Sequence, residues 1–173
     1  MTAGVRDTTI ARPAFTLYSS PSTVVHSRPQ SSTLTDLRFA LPMIPAPDLK
    51  LLARGRLRDA RALFRAGRYD AAAYICGYAV EVALKARICR TLKWNGFPHS
   101  NSEFDGLQSF RTHRLDILLR LSGQAERITQ RFRNEWEAVV TWNPERRYLP
   151  IGSTTRDGAR EMLESVQVIM RTL

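Results

Sequence analysis

Residues Ala62–Lys85 read ALFRAGRYDAAAYICGYAVEVALK, and this stretch decides the fold. Gly67 divides it. In and ahead of its first part, Leu52, Leu57, Ala60, Leu63 and Phe64 recur at helical spacing, with Arg54, Arg56, Arg58, Arg61 and Arg65 between them. Glycine adopts the left-handed C-cap conformation without steric penalty, so Gly67 ends a first helix that starts near Asp48. Tyr69, Ala72, Ala73, Cys76, Val80, Ala83, Leu84 and Ile88 then make the stripe of a second, alanine-rich helix that extends to the region of Trp94. Gly77 inside it lets a neighbouring helix approach closely.

Toward the C-terminus, Asn95 to Arg111 reads as a loop, and Thr112 as the cap of a short third helix, His113 to Ser122, stopped by Gly123. A fourth helix is expected from Ala125 to Trp142, carrying Ile128, Phe132, Trp136, Val139 and Val140 and closed by Asn143 and Pro144. Thr154 with Asp157 resembles a capping signal for a last amphipathic helix bearing Ala159, Met162, Leu163, Val166, Ile169 and Met170. No segment alternates polar and apolar residues as a strand does. The expected fold is therefore all-α, an antiparallel bundle of four or five helices.

In the other direction the composition changes. Residues 1–47 hold six prolines, six serines and seven threonines but only two acids, too polar and too broken to offset ordering entropy. The chain divides into this tail, residues 1–47, and a helical domain, residues 48–173. Three readings of the tail stand: a disordered arm, a targeting peptide, or translated sequence upstream of a natural start at Met43, the last being preferred. His26 lies in the tail and is given no role.

The chain has 173 residues, enough for one domain of ordinary size, and a formal charge of +10. Such a surplus favours polyanionic partners such as RNA, DNA or an acidic protein, or else the arginine-rich helix surfaces simply reflect a high-GC genome. Cys76 and Cys89 lie thirteen residues apart inside a helix, so they read as small buried hydrophobes and not as a disulfide or zinc framework. No apolar run is long enough to span a membrane and no secretory signal opens the chain, which makes the cytoplasm the expected compartment.

Together with THRLDILL at Thr112–Leu119, the opening stretch resembles the HEPN family. The residues that carry the resemblance are Gly67, Tyr69, Ala72, Ala79, Val80, Glu81, Leu84, Lys85, Ala86, His113 and Leu115, joined by WNPERRYLP at Trp142–Pro150. The resemblance implies an antiparallel helical bundle that commonly dimerises, found in prokaryotic toxin–antitoxin and defence systems and often paired with a small nucleotidyltransferase. It also implies metal-independent ribonuclease chemistry with no cofactor, run by an R-x(4–6)-H motif in which imidazole moves a proton and guanidinium stabilises phosphate charge. This sequence departs from that motif. The positions five to seven residues before His113 are Gln108, Leu107 and Gly106, and those before His99 are Trp94, Lys93 and Leu92.

Glu81 and Lys85 stand four apart in the favourable order for a helix-surface ion pair. The alternative is that Glu81 turns inward to hold His113 or Arg147, since a buried carboxylate needs a partner. His113 at a helix N-terminus is either a base or a structural hydrogen-bonding group. Arg146, Arg147 and Tyr148 can bind phosphate and stack on an unpaired base, or else pair with acids while the tyrosine plugs the bundle. Arg111, Arg114, Arg120, Arg127, Arg131 and Arg133 would extend an RNA footprint or form a solvated face. A helix-turn-helix around Gly123 is conceivable by analogy alone. No metal site and no phosphate-loop or nucleophile-elbow motif is present. Three functional expectations follow: an RNA-associated module without the standard motif, acting as a homodimer or beside a nucleotidyltransferase; a divergent endoribonuclease using His113 and Arg147; or a non-catalytic protein-interaction bundle.

Overall fold

The computed structural model describes residues 43–173. The expectations for residues 1–42, including His26 and the character of the tail, lie outside the described residues. Six helices make up most of the described chain: α1 (Ala46–Arg65), α2 (Tyr69–Leu92), α3 (Leu115–Leu121), α4 (Ala125–Arg131), α5 (Arg133–Val140) and α6 (Arg156–Thr172). Two three-residue strands, β1 (Met43–Pro45) and β2 (Gly96–Pro98), pair antiparallel with Ile44 opposite Phe97. The bundle is all-α apart from this small clasp, which lacks any repeating pattern because each strand is only three residues long. Residues 43–47, assigned to the tail from their prolines, belong to the folded unit. Pro45 caps α1 and Pro47 sits in its first turn, where a missing N–H costs nothing.

Gly67 does end the first helix. At φ 73° it lets its own N–H reach Phe64 O at 3.0 Å and the Arg68 N–H reach Leu63 O at 2.9 Å, the paired bonds of a Schellman motif. The chain reverses and α2 runs back along α1. Helix α2 is buried almost all round, from Ala72 to Cys89, as befits the central element of a bundle. On α1 the fully buried positions are Leu49, Ala53, Leu57 and Ala60; Leu52, Leu63 and Phe64 flank them. Helix α6 packs Ala159, Met162, Leu163, Val166 and Ile169 inward as its periodicity requires. Thr155 caps it, accepting from Gly158 N at 3.1 Å, one residue later than expected. Thr154 is instead engaged by Asp70, to whose carboxylate its N–H donates at 2.7 Å.

Other departures matter more. The expected fourth helix breaks at Phe132 (φ −136°, ψ 40°). The break re-aims the chain so that α5 lies along α6, with Trp136 and Val139 buried. Helix α3 starts at Leu115, so His113 precedes it and is not its first residue; Thr112 closes a local turn by accepting from Arg114 N at 3.1 Å. The segment expected as a plain loop after Asn95 carries core residues. Phe97 and Phe104 are buried and stand 6.1 Å apart, edge to face, while Trp94 meets Phe110 at 4.9 Å.

Candidate functional site

The residues at positions 70, 74, 77, 81 and 85 recur every three or four along α2 and therefore share one face of it. Together they hold down three pieces of the chain, the loop at Gly152–Thr154, Trp142 and His113. The carboxylate of Asp70 accepts from the N–H groups of Gly152 at 2.7 Å and Thr154 at 2.7 Å, and those two bonds hold its pKa below the usual carboxylate range. The carbonyl of Tyr74 accepts from Trp142 Nε1 at 3.0 Å. At Gly77 an added Cβ would fall 2.1 Å from the Trp142 ring, so the close neighbour that this glycine admits is an indole and not the helix expected there.

One turn further on, Glu81 is 1% exposed, which overturns a surface ion pair as its setting. Its Oε1 accepts from Lys85 Nζ at 2.6 Å and lies 2.9 Å from His113 Nδ1. A carboxylate only accepts, so Nδ1 carries the hydrogen of this bond and Nε2 takes no part in it. The His113 side chain is 64% exposed. Glu81 Oε2 is buried and has no hydrogen-bond partner among the described residues. Lys85 also lies 5.4 Å from the centre of the Phe97 ring. Lys85 and His113, two of the three partners considered for Glu81, thus share one oxygen.

Arg147 is not the third. It stands 3.8 Å from Glu145 and stacks 4.7 Å from the centre of the Tyr148 ring, at the surface. Among the described residues no hydrogen bond or ion pair joins it to His113. Tyr148 is 71% exposed and plugs nothing; Trp142 fills that role. Arg146 faces a different cleft, lined also by Thr141, Trp142, Ser153 and Thr155. His113 lines a groove of its own with Asp116, Thr141, Asn143 and Pro144, and Asn143 caps the turn at Pro144–Tyr148 by accepting from Glu145 N at 3.0 Å. The expected footprint of arginines is partly neutralised there: Arg114 and Arg120 lie 2.8 Å and 3.8 Å from Asp116, whose pKa Arg114 lowers. Burial pushes the Cys76 thiol up to about 12 and that of Cys89 up to about 11, so neither offers a thiolate.

Among the described residues, no His, Cys, Asp and Glu side chains gather in a group that could hold a metal, and no helix is long and apolar enough to cross a membrane. In chemical terms the site is a buried carboxylate that fixes one nitrogen of an exposed imidazole and leaves the other free to exchange a proton. A groove runs from it to the Trp142–Pro144 turn. No periodic signal in the sequence pairs Trp142 with α2, although Gly77 marks a place where a neighbour comes close.

Residues 46–100, which form α1, α2 and the strand after them, match the family model of the HEPN domain. Neither the curated proteins nor the solved structures include a match to the chain.

Proposed function

From the HEPN domain of residues 46–100 as premise, we propose that this chain is an RNA-associated module of a prokaryotic stress, defence or toxin–antitoxin system. In this reading it works as a homodimer or as the partner of a nucleotidyltransferase and lacks the standard R-x(4–6)-H ribonuclease motif. The observation that carries the RNA reading is the charge. The chain has 26 Lys and Arg against 16 Asp and Glu, and exposed arginines such as Arg127 and Arg131 have no ion-pair partner among the described residues. Backbone phosphates satisfy such a surface by releasing counterions, so affinity falls steeply with salt. A gel shift with tRNA and with mixed single-stranded RNA at two salt concentrations tests this. Retardation at low salt that fades at high salt is expected, and no retardation at low salt removes the RNA reading.

A second reading, a divergent metal-independent endoribonuclease, is favoured by the Glu81–His113 pair. A hydrogen-bonded carboxylate orients an imidazole for proton transfer, and Arg147 would reach the phosphate from the neighbouring turn. Incubating RNA with the protein in the presence of a chelator, beside His113→Ala, Glu81→Gln and Arg147→Ala variants, separates the two readings. Cleavage that is lost in the His113 variant makes the chain an enzyme, and equal cleavage by every variant marks a contaminant.

A further inference from the structure

The face of α2 opposite Glu81 and Lys85 is built for contact of another kind. Ala83, Ala86, Arg87 and Arg90 fall about half a helical turn away from that pair, given about 100° per residue. They open onto a cavity of about 410 Å³ that α1 and the end of α6 complete. Its α1 wall is Lys50, Ala53, Arg54, Leu57 and Arg61, which recur at helical spacing and so lie along one face of that helix. At about 1.5 Å per residue this wall is about 16 Å long, roughly three turns. The cavity is thus an elongated groove between helices, with room along it for a further helix of similar length.

Six cations line the groove, Lys50, Arg54, Arg61, Arg87, Arg90 and Arg171, and no acidic side chain does. Part of their charge is answered within the fold. Arg87 donates to Leu173 O at 3.3 Å and Arg61 donates to Gln167 Oε1. Arg90 and Arg171 occupy the last turns of α2 and α6, where each helix end carries roughly half a negative charge. Even with Leu173 counted as a full carboxylate and both helix ends included, about two negative charges face six positive ones. The side chains of Lys50, Arg54, Arg90 and Arg171 are exposed and form no ion pair among the described residues. The Nε of Arg87 is buried with no acceptor among the described residues, and proteins seldom leave such a donor unanswered. Between the cations the floor is apolar, formed by Ala53, Leu57 and Ala86 with Ala83 and Met170 half-buried beside them.

We propose that this groove docks an acidic amphipathic helix of a partner protein. Its apolar stripe would lie on the floor of Ala53, Leu57 and Ala86, and its Asp and Glu flanks would meet Arg54 on one wall and Arg90 and Arg171 on the other. An amphipathic helix seats its apolar face in a groove through anchors at i, i+3 or i+4 and i+7, which suits a floor three turns long. Charge complementarity at the rim sets the sign of the partner and its rate of capture. A nucleic-acid backbone would satisfy the rim but has no apolar ridge to cover the floor, so the floor favours a polypeptide. The groove is separate from that of His113, and this inference stands or falls independently of the RNA reading.

The test is selection on the immobilised full chain from a displayed library of random peptides of about twelve residues, enough for three helical turns. Enriched peptides are then made synthetically and titrated by fluorescence anisotropy. The targets are the wild type, an Arg54→Gln/Arg90→Gln variant and an Arg127→Gln/Arg131→Gln control on α4. Arg54, Arg90, Arg127 and Arg131 are all exposed, so both variants keep the fold, as equal melting temperatures would verify. Enriched sequences should carry apolar residues at helical spacing with Asp or Glu beside them, and affinity should fall at least about tenfold in the first variant but not in the control. The proposal is overturned if no peptide is enriched, if the enriched peptides lack acids or apolar spacing, or if the control loses as much as the first variant. Displacement of the peptide by short single-stranded RNA at equal concentration overturns it as well, because the groove is then a phosphate track and not a helix-docking site.

Discussion

The two faces of α2 treat charge in opposite ways. On one, Asp70 holds the Gly152–Thr154 loop, Glu81 holds Lys85 and His113, and Lys85 lies over the Phe97 ring, with Glu81 itself 1% exposed. On the other, Arg87 and Arg90 share a cavity with four more cations and no acid. Charges on the closed face are answered within the fold, so altering one is felt as stability. On the open face Arg87 bonds Leu173 O and Arg61 bonds Gln167, but no ion pair forms among the described residues, so altering an exposed charge there should cost little stability. The same helix is a structural post on one side and one wall of a cationic cavity on the other.

The largest effect expected is from Lys85→Met. It leaves the Glu81 carboxylate buried with His113 as its sole donor, and removing one partner of a buried pair costs about 3 kcal/mol. Had Lys85 and Glu81 formed an ordinary surface pair, the cost would be about 0.5 kcal/mol. Urea unfolding of the variant distinguishes the two figures, and a loss at the lower one would break the contrast between the faces. Next comes Gly77→Ala. Its added methyl meets the Trp142 ring at 2.1 Å, a clash with a bulky buried side chain that cannot turn aside freely. Overpacking of that kind costs about 1–3 kcal/mol. Tryptophan fluorescence should report the displaced indole alongside the lower unfolding midpoint.

These residues show where the sequence was readable. Gly67 and the stripe of α6 were legible because a glycine C-cap and a 3.6-residue period are local signals, complete within a few turns. The all-helical bundle followed from them. The aromatic cluster of Trp94, Phe97, Phe104 and Phe110 was not legible, since its members follow no period and meet only once the segment has folded over the end of α2. For the site, a glutamate on an apolar helix signalled an inward partner but left His113, Arg147 and a surface lysine as competing answers. Only the third dimension pairs Glu81 with His113 and sends Arg147 to the Tyr148 ring. The cationic cavity had a faint signature that went unread: Arg54 and Arg61 are seven apart on α1, and Arg87 and Arg90 three apart on α2, each pair on one face of its helix.

Acid offers a gentler probe of the closed face. The two backbone N–H bonds from Gly152 and Thr154 hold the Asp70 pKa below its unfolded value. A group so depressed contributes stability that is present above the unfolded pKa and is lost as pH falls through the folded one. The loop before α6 should therefore loosen as pH drops below about 4, the ordinary range of an aspartate. Amide hydrogen exchange at Gly152 and Thr154 should follow that loss, and Asp70→Asn should remove its pH dependence. Exchange that stays pH-independent in the wild type, after correction for intrinsic rates, would mean that Asp70 does not anchor the loop.

The smallest effect on stability should come from the open face, and its sign is informative. Replacing exposed residues away from caps and buried networks moves stability by no more than about 0.5 kcal/mol. Arg54→Gln/Arg90→Gln removes two like charges from a cluster of six without uncovering any partner, since neither forms an ion pair among the described residues. Mutual repulsion in that cluster is relieved, while the favourable interaction of Arg90 with the end of α2 is lost, and the two terms oppose each other at a few tenths of a kcal/mol each. The unfolding midpoint should thus stay within about 0.5 kcal/mol of wild type at moderate salt. Lowering the ionic strength lengthens the reach of the repulsion, so the variant should gain on the wild type as salt is removed. A loss approaching that of Lys85→Met would mean that these arginines are answered inside the fold after all, and the distinction between the two faces of α2 would disappear.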